Sequence, residues 1–191
     1  MRVLEIGKIA KLKDWWKGFK GETKRPSVPT ALERMKALFE KEKISYRLIP
    51  HAEVYTAPEL AASIHAPGRE VAKVVLVRAD GQYTMAVLPS HRQLDLTRFA
   101  QVVGAREVSL AKEWEMKELF PDCEVGAMPP FGNLYGLRVY VDRSWVGEPE
   151  IFFQAGSHHE VIEMRYEDFE RLVHPEVAHF VLEPLKKASG F

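Results

Sequence analysis

From Thr30 onward the apolar positions fall at helical spacing: Leu32, Met35, Leu38 and Phe39 share one stripe of a segment otherwise rich in Glu, Arg and Lys. That period predicts an amphipathic helix, with Thr30 as its cap and Glu33 as the capping-box partner. The pattern then changes. Residues 45–49 read as a short strand broken by Pro50, and Thr56 caps a second helix over 58–64 with proline in its first turn. Residues 71–78 are apolar on both strand faces, which marks a largely buried strand. The turn Asp80-Gly81 and a strand over 83–88 complete a hairpin. Helices are predicted over 95–102 and 109–119, the second capped by Ser109. Strands over 137–141, 151–154 and 161–165 follow, and a helix over 166–173 closes the series. Strands and helices mix without a regular βαβ repeat, so the expected class is mixed α/β, α+β-like.

Upstream of Thr30 the chain differs. Leu4, Ile9, Leu12, Trp15, Trp16 and Phe19 lie among lysines at roughly helical spacing, and Lys24-Arg25-Pro26-Ser27-Val28-Pro29 reads as a linker. The expected organisation is a basic amphipathic extension over 1–29, one domain over 30–183 and a short tail over 184–191. Residues 1–29 hold eight basic and three acidic side chains, whereas the remainder holds 19 basic and 24 acidic ones. A basic leader on an acidic body fits a polyanionic partner such as RNA, and equally a solvated amphipathic helix.

The chain has one cysteine, Cys123, which excludes an internal disulfide and any CxxC zinc site. No apolar run approaches the ~20 residues of a membrane span, and the first residues carry no long apolar block. The expectation is a cytoplasmic protein without a membrane partner.

Two features carry candidate chemistry. Lys73 interrupts the run Val71-Ala72-Lys73-Val74-Val75, where a buried ammonium needs a carboxylate, a phosphate or an open cleft. Further on, Gly126-Ala127-Met128-Pro129-Pro130-Phe131-Gly132 forms a rigid loop whose backbone a ligand can approach closely. Backbone N–H groups there can stabilise an oxyanion without any side chain. No GxSxG elbow, P-loop or GxGxxG fingerprint is present. The adjacent His158 and His159 point to opposite faces of a strand and make a poor metal pair, so no metal or cofactor is expected.

In order and spacing these pieces resemble the YbaK/ProX family of domains that deacylate mischarged tRNA. The resemblance runs from about Leu32 to Phe180. It includes His51 with Tyr55-Thr56-Ala57, the Lys73 strand, Leu94-Asp95-Leu96, Met128-Pro129-Pro130-Phe131-Gly132 and Ala155-Gly156-Ser157-His158. It implies a strongly curved mixed sheet surrounded by helices, and a substrate ester between an amino acid and the terminal adenosine of tRNA. It also implies catalytic roles for Lys73, Gly126, Phe131 and Gly132. Lys73 would be a positioning cation, the glycine loop would face the scissile carbonyl, and the tRNA 2′-hydroxyl would assist water. Substrate contacts would come from His51, Tyr55, Thr56, Met128, Pro130, Gly156, Ser157 and His158. The partner is the tRNA acceptor end, with a cognate aminoacyl-tRNA synthetase as a further candidate. A trans-acting hydrolase of alanyl- or cysteinyl-tRNA(Pro)-like esters leads. A non-catalytic module binding tRNA or an aminoacyl-adenylate-like ligand, and a small-molecule esterase, stand as alternatives.

Overall fold

The computed structural model describes residues 29–183, so the expectations for the basic extension and the tail lie outside the described residues. Helix α1, Ala31–Glu42, starts at Thr30 with the expected capping box: the Thr30 hydroxyl accepts from the Glu33 N–H, and the Glu33 carboxylate accepts from the Thr30 N–H. Strand β1, Tyr46–Pro50, and helix α2, Ala57–Ser63, follow. Strands β2, Ala72–Ala79, and β3, Gln82–Pro89, are the expected hairpin. Then come α3 (Leu96–Val103), β4 (Val108–Leu110), α4 (Glu113–Leu119), β5 (Arg138–Asp142), β6 (Glu150–Gln154), β7 (Glu160–Arg165), α5 (Tyr166–Val173) and β8 (Glu176–Ala178).

The class is mixed α/β, as the pattern predicts, but the single curved sheet is instead two sheets. One is three-stranded and antiparallel, in the order β1-β7-β6. The other has five strands in the order β4-β2-β3-β5-β8, antiparallel around β2 and parallel from β3 to β8. They meet at a parallel bridge between Val71 and Phe152, backed by the Phe152 N–H donating to the Glu70 carbonyl at 3.0 Å. Pro50 belongs to β1 rather than ending it, because β1 is an edge strand and its proline has one free side.

Ser109 does not cap a helix. It lies in β4, paired with Arg78 of β2, and the Lys112 N–H opens α4 by donating to the Glu115 carboxylate at 2.6 Å. Strand β8 and two short 3-10 turns, Gly132–Tyr135 and Arg143–Trp145, are also absent from the sequence reading.

Apolar burial on both faces of β2 explains its continuous run. Ala72 and Leu76 enter the core shared with α1, α5 and the three-stranded sheet. Val75 and Val77 face the layer formed by Phe99, Tyr140 and Phe180. The main core is aromatic at its centre: Phe131 packs against Phe39, Phe153 and Phe169 with ring centroids 5.5–5.7 Å apart. Phe131 is fully buried. Truncation there removes three ring contacts at once, and Phe131→Ala is expected to cost about 3–5 kcal/mol, read as a lowered midpoint in urea unfolding.

Candidate active site

Strand β4 pairs with residues 77–79 of β2 and leaves the start of β2 as an open edge. A cavity of about 460 Å3 lies there. Ala72, Lys73 and Val74 of β2 form one wall, and Phe153 and Gln154 of β6 form another. The start of α2, from Tyr55 to Pro58, and the loop residues Gly126 and Met128 complete it.

Lys73 is half-buried, and its ammonium donates to the Arg92 carbonyl. Burial alone holds its pKa below the ordinary lysine value; no neighbouring charge contributes. Among the described residues no carboxylate pairs with it. The cation is therefore desolvated, kept by one carbonyl, and directed to a cavity that can take an anion or a polarised oxygen.

The loop presents its backbone opposite. Gly126 has φ +93, a left-handed conformation that glycine adopts without strain. Its N–H lies 3.3 Å from the Met128 sulfur, a weak acceptor, and so keeps donor capacity for a ligand. The loop is held from behind by two backbone bonds. The Glu124 N–H donates to the Gly156 carbonyl at 2.8 Å, and the Gly156 N–H donates to the Ala127 carbonyl at 3.0 Å.

Of the residues singled out by sequence, the cavity gathers Lys73, Gly126, Met128, Tyr55 and Thr56. Tyr55 is exposed at the rim and its hydroxyl donates to Glu53 at 2.7 Å, while the Thr56 hydroxyl is engaged in capping α2. Other candidates lie elsewhere. Phe131 is in the core, and Gly132 backs onto β5, where a Cβ would stand 2.8 Å from a Val139 methyl. Pro130 is buried and does not line the cavity. His51 is also outside it, with Nδ1 donating to the Ala52 carbonyl at 2.7 Å.

Gly156 and Ser157 line a second cavity of about 540 Å3, which also holds Cys123. Gly156 has φ +99, and a Cβ on it would stand 2.7 Å from the Ala31 Cβ. Its place is to let the loop and α1 approach. Burial pushes the Cys123 thiol up to about 11, which keeps it protonated and non-nucleophilic at neutral pH. His158 is buried behind the loop, with Nε2 3.0 Å from the Val125 carbonyl and Nδ1 3.2 Å from the Gln154 amide.

Sequence reasoning missed Gln154, Phe153, Ala72 and Val74. Gln154 had a signal: it is the one polar side chain ending the apolar run Ile151-Phe152-Phe153-Gln154, and buried amides require partners.

The aminoacyl-tRNA editing domain profile matches residues 51–172, which is more than half of the chain. The chain belongs to this family. The Ser/Thr-tRNA deacylase ProXp-y of Escherichia coli strain K12 is 29% identical over 154 residues, spanning 78% of this chain and 91% of that protein. The prolyl-tRNA editing protein ProX of Acetoanaerobium sticklandii is 27% identical over 143 residues, spanning 72% and 87%. In three dimensions the fold matches a crystal structure of a candidate trans-editing enzyme for prolyl tRNA synthetase with a TM-score of 0.70. That match has 21% identity and covers 82% of this chain and all of the other. Among the described residues no helix is long and apolar enough to cross a membrane.

A titration can read the state of Lys73 directly. Its 13Cε resonance is expected to titrate at lower pH than those of the exposed lysines, since burial favours the neutral amine. Any anion held by Lys73 requires its ammonium, so such binding should be full below that midpoint and lost as pH rises through it. By linkage a bound anion moves the midpoint upward. A midpoint equal to that of exposed lysines would contradict the desolvated placement.

Proposed function

We propose that this chain is a trans-acting aminoacyl-tRNA deacylase that hydrolyses the ester of a mischarged tRNA. The observation that carries the reading is the pairing of a desolvated, carboxylate-free Lys73 with a weakly engaged Gly126 N–H across one cavity. Family membership and the names of the relatives support it.

In this reading the terminal adenosine enters at the open edge of β2. The Lys73 ammonium holds the phosphate and carbonyl region of the substrate and does not act as a base. Water attacks the ester carbon, and the developing oxyanion receives the Gly126 N–H. Collapse breaks the bond to the ribose oxygen, which takes one proton of the attacking water; the other passes to solvent as the amino acid leaves as its carboxylate. The vicinal ribose hydroxyl orients the water, so the protein supplies position and charge instead of a side-chain nucleophile. The burial of Cys123 as a thiol is consistent with that division of labour.

The apolar walls formed by Met128, Phe153, Ala72 and Val74 favour an amino acid with an uncharged side chain. Alanine and cysteine on a proline tRNA are the expected pair; the prolyl-tRNA editing name of one relative supports this, and the Ser/Thr-tRNA deacylase name of another adds seryl and threonyl esters to the panel. One methyl group is worth only ~1–3 kcal/mol of discrimination, so activity over a panel should be graded. The enzyme acts in the cytoplasm on tRNA released by a cognate synthetase.

Lys73→Ala is expected to lower single-turnover deacylation by roughly 100-fold or more, with the circular dichroism spectrum unchanged. Unaltered turnover would remove Lys73 from the mechanism. Binding of the acceptor end without ester cleavage by the parent chain would instead identify a binding module. Separately, affinity for tRNA should fall as salt rises, with a log–log slope of about −0.7 per single-strand phosphate contacted. A flat salt dependence would favour a small-molecule esterase.

A further inference from the structure

We infer that Gln154 and His158 are positioning residues that aim the Gly126 N–H at the reacting carbonyl, an inference that rests on the deacylase reading above. The Val125 carbonyl can only accept, so the His158 Nε2 at 3.0 Å carries the hydrogen and donates it. The neutral ring then has its lone pair on Nδ1, where the Gln154 amide nitrogen donates from 3.2 Å. The result is a directed chain from Gln154 through His158 to the Val125 carbonyl.

That carbonyl and the Gly126 N–H belong to the same peptide unit. A trans peptide is planar, with its C=O and N–H pointing in opposite directions. Holding the carbonyl behind the loop therefore sets the direction of the N–H in front. Glycine has the freest backbone of any residue; the Ala127 N–H closes the turn on the Glu124 carbonyl at 3.0 Å, and the Gly126 N–H itself meets only the weakly accepting Met128 sulfur at 3.3 Å. Donation to the carbonyl also polarises the unit and strengthens its N–H as a donor. The relay is itself well held. The His158 N–H donates to the Glu124 carboxylate at 2.7 Å, and the Tyr55 ring covers the imidazole at 4.8 Å between centroids. With 5% exposure and both ring nitrogens engaged, His158 acts through Val125 and not on the substrate.

The test uses the full-length protein with Gln154→Leu, His158→Leu, the double variant and His158→Gln. Two readouts are taken: the Gly126 amide 1H–15N resonance, and kcat and KM on mischarged tRNA. Each leucine variant is expected to shift the Gly126 resonance and lower kcat roughly 10- to 100-fold with KM nearly unchanged. The double variant should be no slower than the worse single one, because both break one chain. His158→Gln, which retains an N–H for Val125, should recover most of the loss.

A Gly126 resonance unmoved in both leucine variants would overturn the proposal. So would a raised KM with intact kcat, or losses that multiply. Where Gln154→Leu fails to fold, Gln154→Met keeps the length, removes the donor and takes its place. If the parent chain cleaves no ester, the deacylase reading fails on its own, and the Gly126 resonance still decides whether the relay positions that peptide.

Discussion

The reciprocal backbone bonds between Gly156 and the segment Glu124–Ala127 hold the site in register with the fold. They require the β6–β7 turn to lie against the loop while α1 packs on its other side. A Cβ at Gly156 would stand 2.7 Å from that of Ala31, so the approach exists because the side chain is missing. α1 in turn is anchored through Met35 and Phe39 in the main core. The loop is thus tied to two elements that the aromatic core already fixes, and Gly126 inherits that rigidity without making core contacts.

The second constraint is electrostatic. Burying an ammonium costs free energy unless something compensates, and Lys73 has one carbonyl and no carboxylate. Among the described residues other partly buried cations have carboxylate partners, as in Arg34 with Asp122 at 3.1 Å, while most unpaired ones lie exposed to water. The contrast points to a place where stability is given up for binding, since an anionic ligand restores what burial removes. The shortness of β4 makes this possible. A longer β4 would pair the start of β2 and close the edge on which the cavity opens.

Local chemistry was legible where it was carried by neighbours in sequence. The Thr30 capping box, the Thr56 cap, the β2–β3 hairpin and the two-faced burial of β2 all appear where the pattern puts them. Lys73, Gly126 and Met128 share a cavity because each was marked by a local anomaly: a charge in an apolar strand, or glycine beside proline. Failures arose where tertiary pairing overrode local signals. Ser109 looks like a cap but is claimed by β2, and Gly132 looks like a ligand-facing glycine but is needed for contact with Val139. In Ala155-Gly156-Ser157-His158 the residues were legible and their direction was not. The turn lines the second cavity through Ala155, Gly156 and Ser157, while Gln154 just before it lines the first, and no sequence period separates the two.

This distinction bears on how a site without a side-chain nucleophile can be specific. Cys123 is the only thiol in the chain and is held protonated, so covalent catalysis by cysteine is closed off. An activated ester needs less than an amide: a positioned water and a donor aligned with the developing oxyanion. A backbone donor supplies that at no side-chain cost, but only if its peptide plane is fixed. In this fold the plane is fixed by groups contributed from a different sheet from the one that bears Lys73, since Gln154 ends β6 while Lys73 lies in β2. The placing of cation relative to donor then depends on how the two sheets meet at Val71 and Phe152, as well as on the bonds that tie the loop to Gly156. Substitutions at that junction would change catalytic geometry without touching the cavity wall, which separates the control of rate from the control of side-chain selectivity.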